Sequence, residues 1–275
     1  MFEIMPIFVA LSKTKMKRAW DSLFILILTF PLLTTCSERP PIHPVVEVMN
    51  AMTPVKNQGN RETCWIYAML AAIETEHIGR GDSVNLSVAW LESHLKEEPQ
   101  APATERGMGA TALALLQKYG LVGYDAMRQA DAPRPKKVFL FGAEYTPLEF
   151  AHSVCAPGEY VALTSNADSA YGRDILIDLP DNWLHQRFLN VPIDTLLHRT
   201  ERAVRRGHGV CWESSGHAMA IVGLARDTAT QKRYFVMKNS WGETAGDHGL
   251  EYLSYGYFKK HTLAVMMTHE AFEEP

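Results

Sequence analysis

Four polar side chains have the types and the chain order needed to work on an acyl carbon: Gln58, Cys64, His217 and Asn239. A thiolate attacks such a carbon, whereas a thiol barely does. Free cysteine has a pKa of about 8.5, so a nucleophilic Cys64 needs help to ionise. Two sources of help are legible. The run from Ile66 to Glu76 reads as an amphipathic helix beginning near Cys64, and a helix N-terminus favours an anion. A histidine can also take the proton. His217 stands out among eleven histidines. It alone follows a glycine at the head of a small-apolar strand, 218–222, with an asparagine, Asn239, ending the next strand. The carbonyl oxygen of Asn239 would hold the imidazole in one tautomer. Gln58, six positions before Cys64, would donate its side-chain N–H to an oxyanion together with the Cys64 backbone N–H.

Taken singly, each residue has a plain structural reading. Cys64-Trp65 could be a core pair, His217 a satisfied strand residue, Asn239-Ser240-Trp241-Gly242 a turn and Gln58-Gly59-Asn60 a loop. Their joint order and flanking residues favour the catalytic reading. There is no Cys-x-x-Cys and no His-Glu-x-x-His, so neither a metal nor a cofactor is expected. His94, His152, His185, His208 and His248 are scattered and read as surface or structural residues.

The stretches Thr53-Pro54-Val55-Lys56-Asn57-Gln58-Gly59, Cys64-Trp65 and Asn239-Ser240-Trp241-Gly242 together resemble papain-like cysteine peptidases. That family carries a Gly-Ser pair and a disulfide cysteine before the nucleophile; here Arg61, Glu62 and Thr63 stand instead. This departure is closer to the bleomycin hydrolase and aminopeptidase C branch, in a shortened form. His217-Ala218-Met219, Asp181-Asn182-Trp183 and Asn190-Val191-Pro192 also look like that branch, especially its Bacteroides-type members. The resemblance implies an α+β, two-lobe papain-like fold, with a helical left lobe, a β-sheet right lobe and the active-site cleft between them. It implies peptide substrates, Trp241 shielding the His217–Asn239 bond and Trp65 supporting the site. In that branch the chain's end lies in the cleft, so the tail 269–275 is a candidate for restricting action to N-terminal residues. The branch also forms closed hexamers, and the shortened chain leaves the oligomeric state open.

The elements that must position these residues can be placed coarsely. Ser87 is a helix cap for 88–96 and Thr63 one for the helix at Cys64. A third helix runs 110–119, with Gly120 as its C-cap residue. Thr146-Pro147 opens a fourth, and 193–206 is a fifth, with Arg202, Arg205 and Arg206 at its C-terminal end. After Gly207 the pattern turns to strands at 209–213, 217–225, 233–238, 249–253 and 263–269, with a turn at 227–230. The organisation expected is a signal and lipobox-like segment 1–36, a tether and start of the mature chain 37–52, a helical lobe 53–130 and a β-rich lobe 131–275.

Lys17-Arg18 precede an apolar run, 23–33, too short to span a bilayer comfortably. Leu33-Thr34-Thr35-Cys36 resembles a bacterial lipobox, which makes Cys36 the expected lipid-bearing residue. The expected location is the bacterial cell envelope, by export and lipid anchoring, with an ordinary cleaved signal or a single membrane anchor as the plainer reading. Fewer than twenty residues separate Cys36 from Thr53, which leaves no room for the long propeptide of papain-like zymogens. Cys155 and Cys211 remain; export would permit their pairing, but the reading favours two buried thiols. Setting aside Lys13, Lys15, Lys17, Arg18, Glu3 and Asp21 leaves 23 basic and 29 acidic residues of the 27 and 31, a net charge of −6. Phosphate binding needs a basic face, so nucleic acid is excluded as a partner. The function expected is an exported cysteine peptidase, aminopeptidase-like if the tail acts as described. Alternatives are a catalytically silent envelope binding protein, or an acyltransferase or amidase using the same triad.

Overall fold

Strand residues from 210 onward are apolar almost without alternation, as befits strands covered on both faces. The computed structural model describes residues 44–140 and 142–273, so Cys36 and the signal-like segment lie outside the described residues. In chain order the first half contains β1 (Pro44–Met49), α1 (Cys64–Gly79), α2 (Val88–His94) and α3 (Gly109–Tyr119). Then come β2 (Val138–Leu140), β3 (Ala143–Tyr145), α4 (Pro147–Val154), β4 (Tyr160–Thr164), β5 (Arg173–Leu176), β6 (Arg187–Asn190) and α5 (Ile193–Arg205). The last stretch holds β7 (Val210–Ser214), β8 (His217–Asp227), β9 (Arg233–Lys238), β10 (Leu250–Ser254), α6 (Tyr255–His261), β11 (Ala264–Thr268) and α7 (His269–Glu273).

The main sheet runs β10-β9-β8-β7-β11-β4-β6-β5, with β1 added on β8; β2 and β3 form a separate hairpin. All pairs in the main sheet are antiparallel except β4 with β6. Along one side of β8, β7 occupies the first half, with Ser214 opposite His217, and β1 the second, with Pro44 opposite Asp227. Successive residues of the central strands enter different cores. Cys211, Ala218, Ala264 and Met266 join the core built with α1 to α4. Val210, Trp212, Met219, Val265 and Met267 join the core under α5 to α7.

Helix α1 is buried on all sides, including Glu74 and Glu76. A buried carboxylate must be paired, and both are. Glu74 accepts from Thr53 Oγ1 (2.5 Å), Lys56 Nζ (2.5 Å) and the Leu86 N–H (2.7 Å). Lys238, at the end of β9, donates to the same Thr53 hydroxyl (2.8 Å). Burial pushes the Lys238 ammonium down to about 8 against the pull of Glu74. Glu76 accepts from the Gly209 N–H (3.1 Å) and Arg80 (2.7 Å) and contacts His208.

Several local expectations hold. Ser87 accepts from the Trp90 N–H (3.1 Å), Thr146 and Glu149 form a capping box that spans Pro147, and Gly120 ends α3 at φ +79°. Asp227 Oδ1 accepts from the N–H groups of Ala229 and Thr230, which makes the expected turn. Cys155 and Cys211 are free and buried. Two corrections are needed. Within 37–52, read as tether and start of the mature chain, residues 44–49 form strand β1, which the sequence reading does not place. Thr63 occupies the cap position of α1, but its hydroxyl donates to Glu92 (2.6 Å) and does not cap. Its backbone, at φ −101° and ψ +19°, lies outside the extended region from which a cap side chain reaches the first helix amides.

The seat of α1 on β7 leaves no room at position 209, where a Cβ would lie 1.9 Å from the Ala72 carbonyl oxygen. Backbone cannot yield as a side-chain tip can. Gly209→Ala should therefore cost about 3 kcal/mol, read as a lowered midpoint in thermal or urea unfolding.

Candidate active site

Cys64 is the first residue of α1, so its own N–H and that of Trp65 have no partner within the helix. The segment before it is pinned to the segment after Asn239. Gln58 N–H donates to the Ser240 carbonyl (2.8 Å), Gly242 N–H donates to Lys56 (3.2 Å), and Asn57 bridges Trp241. Arg61, next in line, contacts Glu105 (2.9 Å) and Glu92 (3.3 Å). The chain thus enters α1 along a fixed path, and Gln58 stands beside the nucleophile.

His217 opens β8 and Asn239 follows β9, so the β8–β9 pair brings them together. His217 Nε2 lies 2.9 Å from Asn239 Oδ1. The direction of this bond can be assigned. Asn239 Oδ1 also accepts from the Ser240 N–H (2.7 Å), and Asn239 Nδ2 donates to Glu251 Oε1 (2.6 Å). The oxygen therefore faces the ring, His217 Nε2 carries the hydrogen and Nδ1 is left as the base. Trp241 stacks on the imidazole, with centroids 4.7 Å apart and planes at 25°. Asn239 is buried beneath it.

Gln58 is fixed at both ends of its carboxamide. Its oxygen accepts from the Ser240 hydroxyl (2.5 Å), and its nitrogen donates one hydrogen to the Arg61 carbonyl (2.5 Å). The second N–H remains for a ligand. A cavity of about 200 Å³ is lined by Gln58, Cys64, His217 and Trp241 on one part of its wall and by Arg106, Asp181 and Glu213 on another. Trp65 also lines it while its indole donates to the Glu105 carbonyl (3.0 Å). The wall passes this ring at Gly107, where a Cβ would come within 2.7 Å of the indole.

The electrostatics depart from a thiol held low at a helix end. Burial pushes Cys64 up, with Glu213 adding to the rise; the Ala218 and Trp65 N–H groups and Arg106 pull it down. Burial likewise pushes His217 down, against the Asn239 bond and the field of Glu251. Desolvation disfavours either ion alone. A proton passing from sulfur to imidazole, however, changes no net charge in the pocket. Burial would therefore oppose such a transfer less than it opposes either ion alone, and the Ala218 and Trp65 N–H groups at the sulfur favour the thiolate. Cys155, pushed up to about 12 by burial, and Cys211, raised by complete burial, have no such setting.

All six site residues expected within the described chain thus meet: Gln58, Cys64, Trp65, His217, Asn239 and Trp241. Residues 269–273 of the tail do not join them, and 274 and 275 lie outside the described residues. Helix α7 packs on α5, β4 and β11, with Glu270 on Arg80 (3.1 Å) and the Phe272 carbonyl on Arg199 (2.7 Å). Residues 269–273 line no part of the cavity. Sequence reasoning missed Glu251, Ser240, Glu213 and the Arg106–Asp181 pair, which is held by three contacts of 2.8–3.2 Å. The Asp181-Asn182-Trp183 stretch was singled out, and its role is now visible: Trp183 donates to the Arg106 carbonyl (3.0 Å), so this loop clamps the cavity wall. A charge inside the apolar run of β7 was the one available signal for Glu213. His94 and His208 have structural roles: His94 lies against the Trp90 carbonyl and Tyr119, and His208 against Glu76. Among the described residues no cluster of three or more His, Cys, Asp or Glu is arranged for a metal ion.

The sequence profile described as papain family cysteine protease matches residues 45–270. The chain is 25% identical over 235 residues to the "Probable cysteine protease RD19C" of Arabidopsis thaliana, covering 79% of this chain and 59% of that protein. It is 27% identical over 207 residues to a cysteine proteinase of Theileria parva, covering 73% and 40%. The chain thus spans only about half the length of these two curated relatives. In fold it is similar to PepW from Lactobacillus rhamnosis, with a TM-score of 0.63 at 16% identity, covering 84% of this chain and 83% of that one.

Glu251 fixes the Asn239 amide and raises the basicity of His217, so Glu251→Leu should act on both. The pKa of His217, followed by NMR in Cys64→Ala protein, should move further down. Alkylation of Cys64 by iodoacetamide at pH 7 should slow, roughly 10-fold for a one-unit loss of imidazole basicity.

Proposed function

The chain belongs to the papain family of cysteine proteases, and from that premise we propose that it hydrolyses peptide bonds through an acyl-enzyme on Cys64. The observation that carries this reading is the His217 Nε2–Asn239 Oδ1 bond of 2.9 Å beside a cavity shared by Cys64 and Gln58. His217 Nδ1 takes the thiol proton as the sulfur adds to the carbonyl carbon. The oxyanion is met by the free N–H of Gln58 and the Cys64 backbone N–H. The proton then passes to the leaving amine, the C–N bond breaks and a thioester remains. Water, deprotonated by the same nitrogen, adds to the thioester and releases the acid and the thiol. Asn239, held by Glu251 and Ser240, keeps the ring in place through both halves.

The finer assignment to the bleomycin hydrolase and aminopeptidase C branch rests on Arg61-Glu62-Thr63 before the nucleophile and on His217-Ala218-Met219. Residues 269–273 pack on α5 and away from the cavity, so a preference for a free amino terminus is sought first in the groups on the cavity wall. Export and lipid attachment at Cys36 are proposed on Lys17-Arg18, the apolar run 23–33 and Leu33-Thr34-Thr35-Cys36. Cys36→Ala should release the protein from membranes and abolish incorporation of a labelled fatty acid.

The central test is a peptide-library digest with wild-type, Cys64→Ala and Gln58→Ala proteins. Cys64→Ala should abolish hydrolysis and probe labelling with no loss of fold. Gln58→Ala should lower kcat by a factor equivalent to about 2.7–4 kcal/mol. Alkylation of Cys155 or Cys211 in place of Cys64, or turnover that survives in Cys64→Ala, would rule the reading out.

A further inference from the structure

Glu213, near the end of β7, is a carboxyl group with one oxygen left unused. It is 3% exposed. Its Oε1 accepts from the Gly109 N–H (2.5 Å), whereas its Oε2 is buried without a hydrogen-bond partner. Buried carboxyl oxygens seldom go unpaired, because removing one from water without compensation is costly. The Glu213 residue contributes to the wall of the cavity that Cys64 also lines. No neighbouring side chain completes it. Arg106, the one arginine or lysine on that wall, is held by Asp181 through three contacts. With Glu62 also on the wall, the cavity presents three carboxyl groups against one guanidinium.

We propose that Glu213 Oε2 receives a cationic nitrogen of the substrate, an ammonium or a guanidinium, in the cavity beside Cys64. The identity of that substrate as a peptide rests on the proposed peptidase function. Burial, with Asp181 adding to it and the Gly109 N–H opposing, holds the Glu213 carboxyl up at about 8. By itself the cavity wall thus shelters an uncharged acid, the less costly state for a buried group without a counter-ion. A cation brought to Oε2 supplies the missing partner and draws the group into its charged form, with the proton leaving to solvent. An apolar side chain in the same place would leave Oε2 unpaired. Discrimination therefore comes from an unmet polar group, which rejects the wrong ligand more strongly than shape alone. The cation has two sources in a peptide, a lysine or arginine side chain and a free amino terminus. The second would give the enzyme a preference for amino-terminal cleavage without any role for the tail.

The experiment compares two peptide series. In the first, N-acetylated peptides carry lysine or its uncharged isostere norleucine at each position flanking the scissile bond. In the second, lysine-free peptides have free or acetylated amino termini. The ratio of kcat/KM for charged over uncharged members should be roughly 10- to 100-fold in one series with wild-type protein. It should fall close to one in Glu213→Gln, whose side-chain oxygen still accepts from Gly109. Labelling of Cys64 by iodoacetamide reports that the variant's site is formed, and the wild-type comparison needs no variant. Calorimetric binding of the same peptides to Cys64→Ala protein gives the ratio without turnover. Failure of every peptide to be hydrolysed would therefore count against the peptidase reading, and the binding ratio would still decide the role of Glu213. A first series that responds assigns the site to a side chain, and a second that responds assigns it to the amino terminus. Equal handling of charged and uncharged members in both series, or a ratio that survives Glu213→Gln, would overturn the proposal.

Discussion

The seat of α1 on the β7–β8 hairpin is the contact on which the rest of the molecule depends. It delivers the first residue of a helix to the first residue of a strand, so that Cys64 faces the Ala218 amide beside His217. Apolar burial supplies most of the adhesion, but it does not set the register. That is done by polar groups with few alternatives: the Gly209 N–H on Glu76, and Thr53, Lys56 and Leu86 around Glu74. An error of one residue in this seat would leave two carboxylates in the core without partners.

The same burial that secures the helix sets the character of the site. Dry surroundings make a lone thiolate or a lone imidazolium costly, yet strengthen every dipole aimed at them. The hydrogen bonds around His217 form a single chain: Glu251 to Asn239, Asn239 to the ring. Another links Ser240 to Gln58 and Gln58 to Arg61. These chains run through the segment that follows β9, so His217 and Gln58 are oriented by neighbouring residues of one loop. Strain or slippage there would disturb both functions together.

Much of this was legible in the sequence. Gln58, Cys64, His217 and Asn239 sit in short segments whose chemistry survives without coordinates, and Ser87, Thr146-Pro147 and Gly120 mark helix ends through local bonds. What escaped was whatever depends on partners distant in the chain. β5 and β6 are short, and β5 is largely exposed, so they carry no apolar signal, and β1 is hidden behind a run of prolines. Thr63 has the right type for a cap, but its backbone is not extended and its hydroxyl is turned to Glu92 across the fold. Glu251 and Glu213 look like ordinary strand acids until Asn239 and the cavity are placed beside them. The thiol's upward shift follows from burial, which no spacing of residues reveals.

Strand β8 is long enough to separate two tasks. His217 stands at one end; at the other, Asp227 is paired with Pro44, where the described chain begins. Ten residue steps along a strand amount to roughly 30 Å. Pro44 is therefore held far along the strand from His217, where β1 covers the half of β8 that β7 leaves open. Loosening β1 would therefore bare the distant half of β8 first, because the His217 end is held by β7 and, a few residues further on, by β9.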